Sequence, residues 1–100
     1  MRITSVEAIP LKIPFTLGHE RSGWSAGMFQ TLEMVLVRVE TDAGLVGWGD
    51  AFAYGCQRAV VAAIEDMIAP KVVGADARDI AELNRQLQRQ NHLWGRYGIT

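Results

Sequence analysis

The alternation of apolar and polar positions predicts two strands in the first part of the chain. Residues 2–14 alternate loosely, and Pro10 and Pro14 each remove a backbone hydrogen-bond donor, so this segment is expected to be an edge strand. Residues 32–41 show the clearest alternation in the chain. One face of this second strand carries Val35, Val37 and Val39, and the other carries Met34, Leu36, Arg38 and Glu40. The valine face is therefore predicted to face the core, and the other face to be partly solvated.

A turn and a third strand follow the second strand directly. Residues 42–44, Asp-Ala-Gly, supply a turn in which the glycine can adopt a positive φ, and residues 45–49 resume an extended pattern, which predicts a hairpin. By contrast, residues 15–30 follow no period and contain three glycines, which is typical of a long loop. The three predicted strands form an antiparallel meander, and a short loop, residues 50–55, is expected after it.

After residue 55 the apolar period changes from two to about 3.6 residues, which predicts an amphipathic helix. Its apolar positions are Val60, Val61, Ile64, Met67 and Ile68. Pro70 has no backbone N–H and disfavours helical dihedral angles at Ala69. The helix is therefore expected to stop near Ala69.

A second helix is predicted to begin at a capping box. Asp79 and Glu82 stand three positions apart, so each side chain can satisfy a backbone N–H of the first turn. The helix is expected to run to about Asn91. The side chains expected to face inward are Ile80, Leu83 and Leu87, and those expected to face solvent are Glu82, Arg85, Gln86 and Arg89. Strands followed by helices predict an α+β fold, with the helices on one face of a three-stranded antiparallel meander.

Composition narrows the class of protein. The 100 residues are 49% hydrophobic and 21% charged, with a formal net charge of −1, which is typical of one globular domain. The charges are spread without a run, so neither nucleic acid nor a membrane surface is expected as a partner. No apolar stretch approaches the roughly 20 residues that cross a bilayer, and the first residues lack a signal-peptide pattern. With Cys56 as its single cysteine, the protein is expected to be cytoplasmic.

Several residues that could suggest chemistry have a structural explanation. Gly44, Gly47 and Gly49 lie inside the predicted hairpin and match no phosphate-binding spacing, so nucleotide binding is not expected. His19 and His92 have no cysteine or acidic residue at ligand spacing, which argues against a zinc site.

Two loops carry the remaining candidates. Asp50 could serve as an acid or base or could cap a turn, and the turn interpretation is favoured. Cys56 precedes a helix without a histidine near it in sequence, so a nucleophile is not expected. Residues 18–28 combine a cation, a carboxylate, an imidazole and an indole on a long loop, which is either functional or a floppy connection. Tyr54 could reach the same rim, or could be a half-buried packing residue.

A family resemblance is carried by residues 37–51, VRVETDAGLVGWGDA. This run resembles the strand-turn-strand of the N-terminal capping domain of the enolase superfamily, in its mandelate racemase and muconate-lactonising group. Residues 3–11 are similar to the first strand of that domain, and residues 68–80 to its junction between helices, with Ala77 where the family often has proline. Residues 95–98 are similar to the link into the family's barrel domain, so the resemblance covers essentially the whole chain.

The resemblance implies a capping domain, residues 1–94, over the mouth of a (β/α) barrel. Residues 95–100 would begin the link to that barrel, which is expected to be absent from these residues. Two capping loops, 15–30 and 50–55, would close over the substrate and select it. The substrate-binding residues implied in this way are His19, Glu20, Arg21, Trp24 and Tyr54.

The chemistry that the resemblance implies is abstraction of a proton α to a carboxylate, giving an enediolate held by Mg²⁺. In the family the acid and base residues and the metal ligands lie on the barrel, so this chain is expected to contribute no catalytic and no metal-binding residue and to be inactive alone. The expected full-length enzyme is a homo-oligomeric lyase or isomerase: an acid-sugar dehydratase, or an epimerase or racemase. The alternative is a stand-alone α+β protein-interaction module without catalysis.

Overall fold

The first part of the chain forms an antiparallel sheet. The structure, a computed structural model, describes residues 1–15 and 31–95. The strands within these ranges are β1 (Ile3–Pro14), β2 (Thr31–Thr41) and β3 (Val46–Phe52). They pair in the order β1-β2-β3 with both pairings antiparallel, so β1 lies at an edge of this sheet, as its two prolines predict. The predicted meander and the α+β class are confirmed.

Helical segments follow the sheet. They are α1 (Gln57–Ala62), a π-helical turn (Ala63–Ile68), α2 (Ala69–Val72), α3 (Ile80–Gln90) and a 3₁₀ turn (His92–Trp94). The predicted stop near Ala69 is wrong, because the helix continues through Pro70 to Val72. The π-helical turn changes the hydrogen-bond register, so that Pro70 lies in the first turn of α2, where its missing N–H needs no helical partner.

The third strand is longer than the sequence predicts. It runs to Phe52, so the first three residues of the predicted loop 50–55 belong to β3. The pairing continues because β2 offers backbone partners further along, as far as Met34 opposite Phe52. Asp50 lies opposite Leu36, inside the strand and exposed, so its placement at a loop entry as a turn cap is wrong.

The core lies between one face of the sheet and the helical segment that begins with α1. Its buried members are Ala8, Val35, Ala53, Val60 and Ile64. Val35 has 0% of its surface exposed, and Val37 packs against the cluster, which confirms that the valine face of β2 is the core face. Burial of these apolar side chains is the main force that holds the helical segment on the sheet.

Helix α3 packs less closely than the sequence predicts. Asp79 Oδ1 accepts from the Glu82 backbone N–H over 3.1 Å, which confirms one half of the capping box. The Glu82 side chain instead pairs with Arg85 and Arg89 on the helix surface. Ile80 is 67% exposed, so its predicted inward position is wrong. The core face of the sheet is already covered by α1 and the π-helical turn, and no residue of α3 is buried.

The start of β1 holds the loop that follows α2. Ile3 N–H donates to the Ala75 carbonyl over 2.9 Å, and Gly74 N–H donates to the Ile3 carbonyl over 2.8 Å. Arg2 Nη1 also donates to the Gly74 carbonyl over 2.6 Å. These bonds fix the far end of the helical segment to the sheet. None of the helices within residues 1–15 and 31–95 is long and apolar enough to cross a membrane.

Candidate functional site

Both predicted capping loops leave the same end of the sheet. β1 ends at Pro14, which pairs with Thr31 at the start of β2, and β3 ends at Phe52, which pairs with Met34. Because neighbouring strands are antiparallel, residue 15 after β1, residue 31 at the start of β2 and the loop after β3 all lie at the same end of the sheet. Four of the predicted substrate-binding residues, His19, Glu20, Arg21 and Trp24, lie outside the described residues, as does the rest of the span 16–30.

The fifth predicted residue, Tyr54, lies in a tight turn between β3 and α1. We call residues 53–56 the second loop. Its turn is closed by Cys56 N–H, which donates to the Ala53 carbonyl over 3.1 Å. Gly55 has φ +73°, the left-handed conformation that the third position of a type II turn requires. Tyr54 therefore occupies the second position of the turn, and it is half-buried.

An aromatic pair forms at this end of the sheet. The ring centroids of Phe52 and Tyr54 are 5.4 Å apart, with an angle of 52° between the ring planes. This separation is within the range in which tilted aromatic pairs attract each other. Phe52 is 80% exposed, so the pair presents an apolar surface with a phenol group beside it. Such a surface can shield a bound small molecule from water and can exchange hydrogen bonds with its hydroxyl or carboxylate groups.

The residue after the second loop fixes it to the sheet. Gln57, the first residue of α1, is buried. Its Nε2 donates to the carbonyl oxygens of Leu11 over 2.7 Å and Met34 over 2.9 Å. Leu11 and Met34 are paired across β1 and β2, so one amide joins the helix to two strands at the row where β3 ends.

A carboxylate provides a second attachment. Glu33 Oε2 accepts from the Gly55 backbone N–H over 2.9 Å, and Glu33 Oε1 lies 3.8 Å from Lys12 Nζ. Glu33 and Lys12 are partners in the register of β1 and β2. A shallow groove of about 220 Å³ beside the loop is lined in part by Glu33, Gly55 and Arg58.

Sequence analysis alone did not single out Glu33 or Gln57, although a signal for each was present. Glu33 shares the alternation of Val35 and Val37, so it is a charge on the core face of β2. Gln57 stands three positions before Val60 and so continues the buried stripe of the helix. A polar residue in an apolar periodicity predicts a buried hydrogen-bond partner, but not which one.

The remaining candidates have no metal or nucleophilic arrangement around them in the part of the chain that the structure describes. His92 Nδ1 lies 3.0 Å from the Arg89 carbonyl, within the turn after α3. Cys56 is exposed and lies at the N-terminal boundary of α1. Among residues 1–15 and 31–95, no group of three or more His, Cys, Asp or Glu side chains could hold a metal ion.

Comparison with known proteins identifies the family. Residues 6–96 match the family model described as mandelate racemase / muconate lactonizing enzyme, N-terminal domain. The chain belongs to this family. The resemblance seen in residues 37–51 is therefore confirmed, and the sheet and helices described above are those of a mandelate racemase / muconate lactonizing enzyme N-terminal domain.

Curated relatives of this N-terminal domain include dehydratases. The chain is 35% identical over 69 residues to the arabinonate dehydratase of Saccharolobus solfataricus, covering 69% of this chain and 18% of that protein. It is 30% identical over 92 residues to the cis-3-hydroxy-L-proline dehydratase of Roseibium aggregatum, covering 85% of this chain and 24% of that protein. The chain thus spans about a quarter or less of the length of these relatives.

Solved structures share the fold along almost the whole chain. A member of the enolase superfamily from Agrobacterium tumefaciens matches with a TM-score of 0.82 at 27% identity, covering 98% of this chain and 30% of that protein. The family is thus supported by sequence and by backbone geometry. The proteins that contain a similar N-terminal domain are several times longer than these 100 residues.

Proposed function

We propose that this N-terminal domain is the substrate-selecting cap of a longer, Mg²⁺-dependent enzyme that removes a proton α to a carboxylate. Residues 1–94 form the cap, residues 95–100 begin the link, and a (β/α) barrel follows. Membership of the family supports this proposal. The observation that carries the capping role is that both predicted loops are connected to the same end of the sheet. The second loop lies there, close to the end of β1 and the start of β2, between which the span 16–30 runs in sequence.

In this proposal two loops contact the substrate. Tyr54 contributes an aromatic face and a phenol from the second loop. The predicted capping loop 15–30 contributes the imidazole of His19, the carboxylate of Glu20, the planar cation of Arg21 and the indole of Trp24. An arginine fork suits a substrate carboxylate, and a glutamate accepts hydrogen bonds from hydroxyl groups. Closure of such loops excludes water and makes selection depend on side chains that the barrel does not supply.

The metal and the acid and base residues are assigned to the barrel. When bound, Mg²⁺ stabilises the negative charge that develops on the substrate carboxylate as the α proton leaves. The described residues do not fit a Mg²⁺ site, because they contain no cluster of carboxylates that could hold the ion. In this proposal the chain contributes to substrate binding and specificity, and the proton transfers belong to residues of the barrel.

Exposed apolar side chains support the presence of a covering domain. Phe52, Leu93, Ile80 and Trp94 are each more than half exposed, and two of them follow α3 where the chain leads to the proposed link. These side chains are available for contacts with a neighbouring domain. A stand-alone interaction module could use the same exposed side chains, but membership of the family favours the covering domain.

The favoured reaction is dehydration of a hydroxy acid. The curated relatives include dehydratases of arabinonate and of cis-3-hydroxy-L-proline, whose names share a hydroxylated carboxylic acid as substrate. In an aldonate, which carries hydroxyl groups on C2 and C3, removal of the C2 proton and loss of the C3 hydroxyl group as water give an enol, which becomes the 3-deoxy-2-keto acid. Racemisation or epimerisation begins with the same proton transfer and remains the alternative reaction.

The experiment that tests this function uses the full-length protein in D₂O with Mg²⁺ and a panel of aldonates, including arabinonate, galactonate and mannonate. Proton NMR follows the α hydrogen of each acid, and a carbonyl-specific assay follows 2-keto acid. The expected result is loss of the α hydrogen signal of one acid, with formation of its 3-deoxy-2-keto product, which carries deuterium from the solvent at C3. Exchange without 2-keto acid would identify an epimerase or racemase. If no acid in the panel loses its α hydrogen and no 2-keto acid forms, the proposal is contradicted and the interaction module is favoured.

A further inference from the structure

A carboxylate on the core face of β2 holds the second loop against the sheet. Glu33 occupies the same face as the fully buried Val35, yet its charged side chain is only 22% exposed. Its oxygens point to two different groups: Oε2 accepts from Gly55 N–H over 2.9 Å, and Oε1 lies 3.8 Å from Lys12 Nζ. A carboxylate that accepts from a backbone N–H forms a charge-assisted bond, which is stronger than a neutral one.

The hydrogen bond to Gly55 differs from the bond that closes the turn. The Cys56-to-Ala53 bond lies within the second loop, so it sets the shape of the turn but not its direction relative to the sheet. The Glu33 bond joins the turn to β2, 22 positions away in sequence. Ala53 is buried immediately before Tyr54, and Glu33 holds Gly55 immediately after it. The backbone of Tyr54 is therefore fixed on both sides.

We infer that Glu33 is a positioning residue for substrate selection, which directs Tyr54 by holding the Gly55 N–H of the second loop. The inference rests on the proposed function, because it requires that the second loop meets the substrate. Glu33 acts through the loop and does not itself touch the substrate. It deepens the proposal by naming a side chain that, together with the Gln57 attachment, sets the direction of the second loop.

Truncation of Glu33 should change the position of the second loop with little effect on the stability of the fold. Gly55 is exposed, so water can replace the carboxylate when Glu33 is truncated, and the fold keeps its core of Val35 and Ala53. Truncation of Glu33 removes the bond that sets the direction of the turn relative to the sheet. A loop that contacts the substrate from a changed position binds it less well, even where the chemistry on the barrel is intact.

The test compares Glu33→Ala, Glu33→Gln and Lys12→Met in the full-length enzyme with its best acid substrate. Glutamine keeps an oxygen that can accept from Gly55 N–H, and Lys12→Met removes only the long, exposed ion pair. The expected result is that Glu33→Ala raises KM about ten-fold with little change in kcat, while Glu33→Gln and Lys12→Met stay close to wild type. Amide exchange of Gly55, measured by NMR or mass spectrometry, should accelerate in Glu33→Ala alone.

Tyr54→Ala separates failure of the inference from failure of the proposed function. If Tyr54→Ala raises KM and Glu33→Ala does not, the inference is overturned and the capping role stands. If neither variant changes KM, the proposed function fails, and the inference fails with it. If Glu33→Ala lowers the melting temperature and kcat together at unchanged KM, Glu33 is only structural, and the inference is again overturned.

Discussion

Gln57 Nε2 donates to the Leu11 carbonyl over 2.7 Å and so joins the first residue of α1 to the edge strand 46 positions earlier. Its second bond reaches the Met34 carbonyl of β2 over 2.9 Å. Gln57 is 8% exposed, so both bonds are shielded from water. A buried amide that loses such bonds leaves its partners without a replacement from solvent. This one side chain therefore couples the stability of the helix to that of the loop end of the sheet.

Replacing this amide should destabilise the protein. Gln57→Ala removes both donors and is expected to lower the free energy of unfolding by about 1–3 kcal/mol. Gln88→Ala on exposed α3 is the matched control and should change it by less than about 0.5 kcal/mol. Equilibrium denaturation in urea measures both changes. Equal stability of the two variants would show that the Gln57 bonds contribute nothing net.

The valine face of β2 should be sensitive to truncation. Val35 has 0% exposure at the centre of the core, so Val35→Ala removes buried methyl groups and leaves a cavity. We expect a loss of about 2–3 kcal/mol in the free energy of unfolding. Val46→Ala, at a position that is 41% exposed on β3, should cost less than about 1 kcal/mol. The same denaturation experiment compares them, and a smaller loss at Val35 than at Val46 would contradict the assigned core.

The turn that carries Tyr54 requires glycine at one position. Gly55 has φ +73°, and a Cβ added there would meet no atom within 4 Å, so the cost of Gly55→Ala is that of the backbone conformation alone. The expected loss is about 1–2 kcal/mol. Gly47→Ala is the control, because Gly47 has the same free space without a positive φ. Thermal unfolding should show a lower melting temperature for Gly55→Ala only; the reverse order would be inconsistent with the turn.

Acid should weaken the contact that orders the loop before α3. Arg78 donates to both carboxylate oxygens of Asp76, at 3.0 and 2.8 Å, and holds the pKa of Asp76 well below its ordinary value of 3.8. A lowered pKa in the folded state stabilises the protein above the unfolded pKa, and this stabilisation is lost as the pH falls through the folded pKa. Asp76→Asn should therefore be less stable than wild type at pH 7, and the gap should narrow progressively as the pH falls below about 3.8.

Stability curves of the wild type and Asp76→Asn between pH 2 and 7 measure this effect. Arg78→Met should reduce the pH dependence in the same way, because it removes the partner of the carboxylate. A gap between wild type and Asp76→Asn that stays constant down to pH 2 would rule out the stabilising pair.

Much of the sheet could be predicted because its signals are local. The alternation through Val35 and Val37 and the turn at Gly44, which has φ +79°, determine strand faces and a hairpin within a few residues. The cap at Asp79 is equally local. The length of β3 does not follow from local pattern, because it depends on how far β2 continues to offer backbone hydrogen-bond partners.

Other features depend on tertiary structure and were not predictable from local pattern. The helix continues past Pro70 because a π-helical turn precedes it, and the apolar periodicity of the sequence does not predict such a turn. Ile80 is exposed because α1 and the π-helical turn already occupy the core face of the sheet. The apolar periodicity of α3 alone cannot show which helix occupies that face. In the site, the position of Tyr54 at one end of the sheet follows from the antiparallel topology. The hydrogen-bond partners of Glu33 and Gln57 are known only from the folded structure.

The most direct test of the capping role is the specificity of the full-length enzyme when Tyr54 is changed. Values of kcat/KM for its best acid and for a stereoisomer of that acid are measured for wild type, Tyr54→Phe and Tyr54→Ala. We expect Tyr54→Ala to lower kcat/KM for the best acid about ten-fold or more, mainly through KM, and to reduce discrimination between the two acids. Unchanged KM and unchanged discrimination in Tyr54→Ala would contradict the conclusion that this domain selects the substrate.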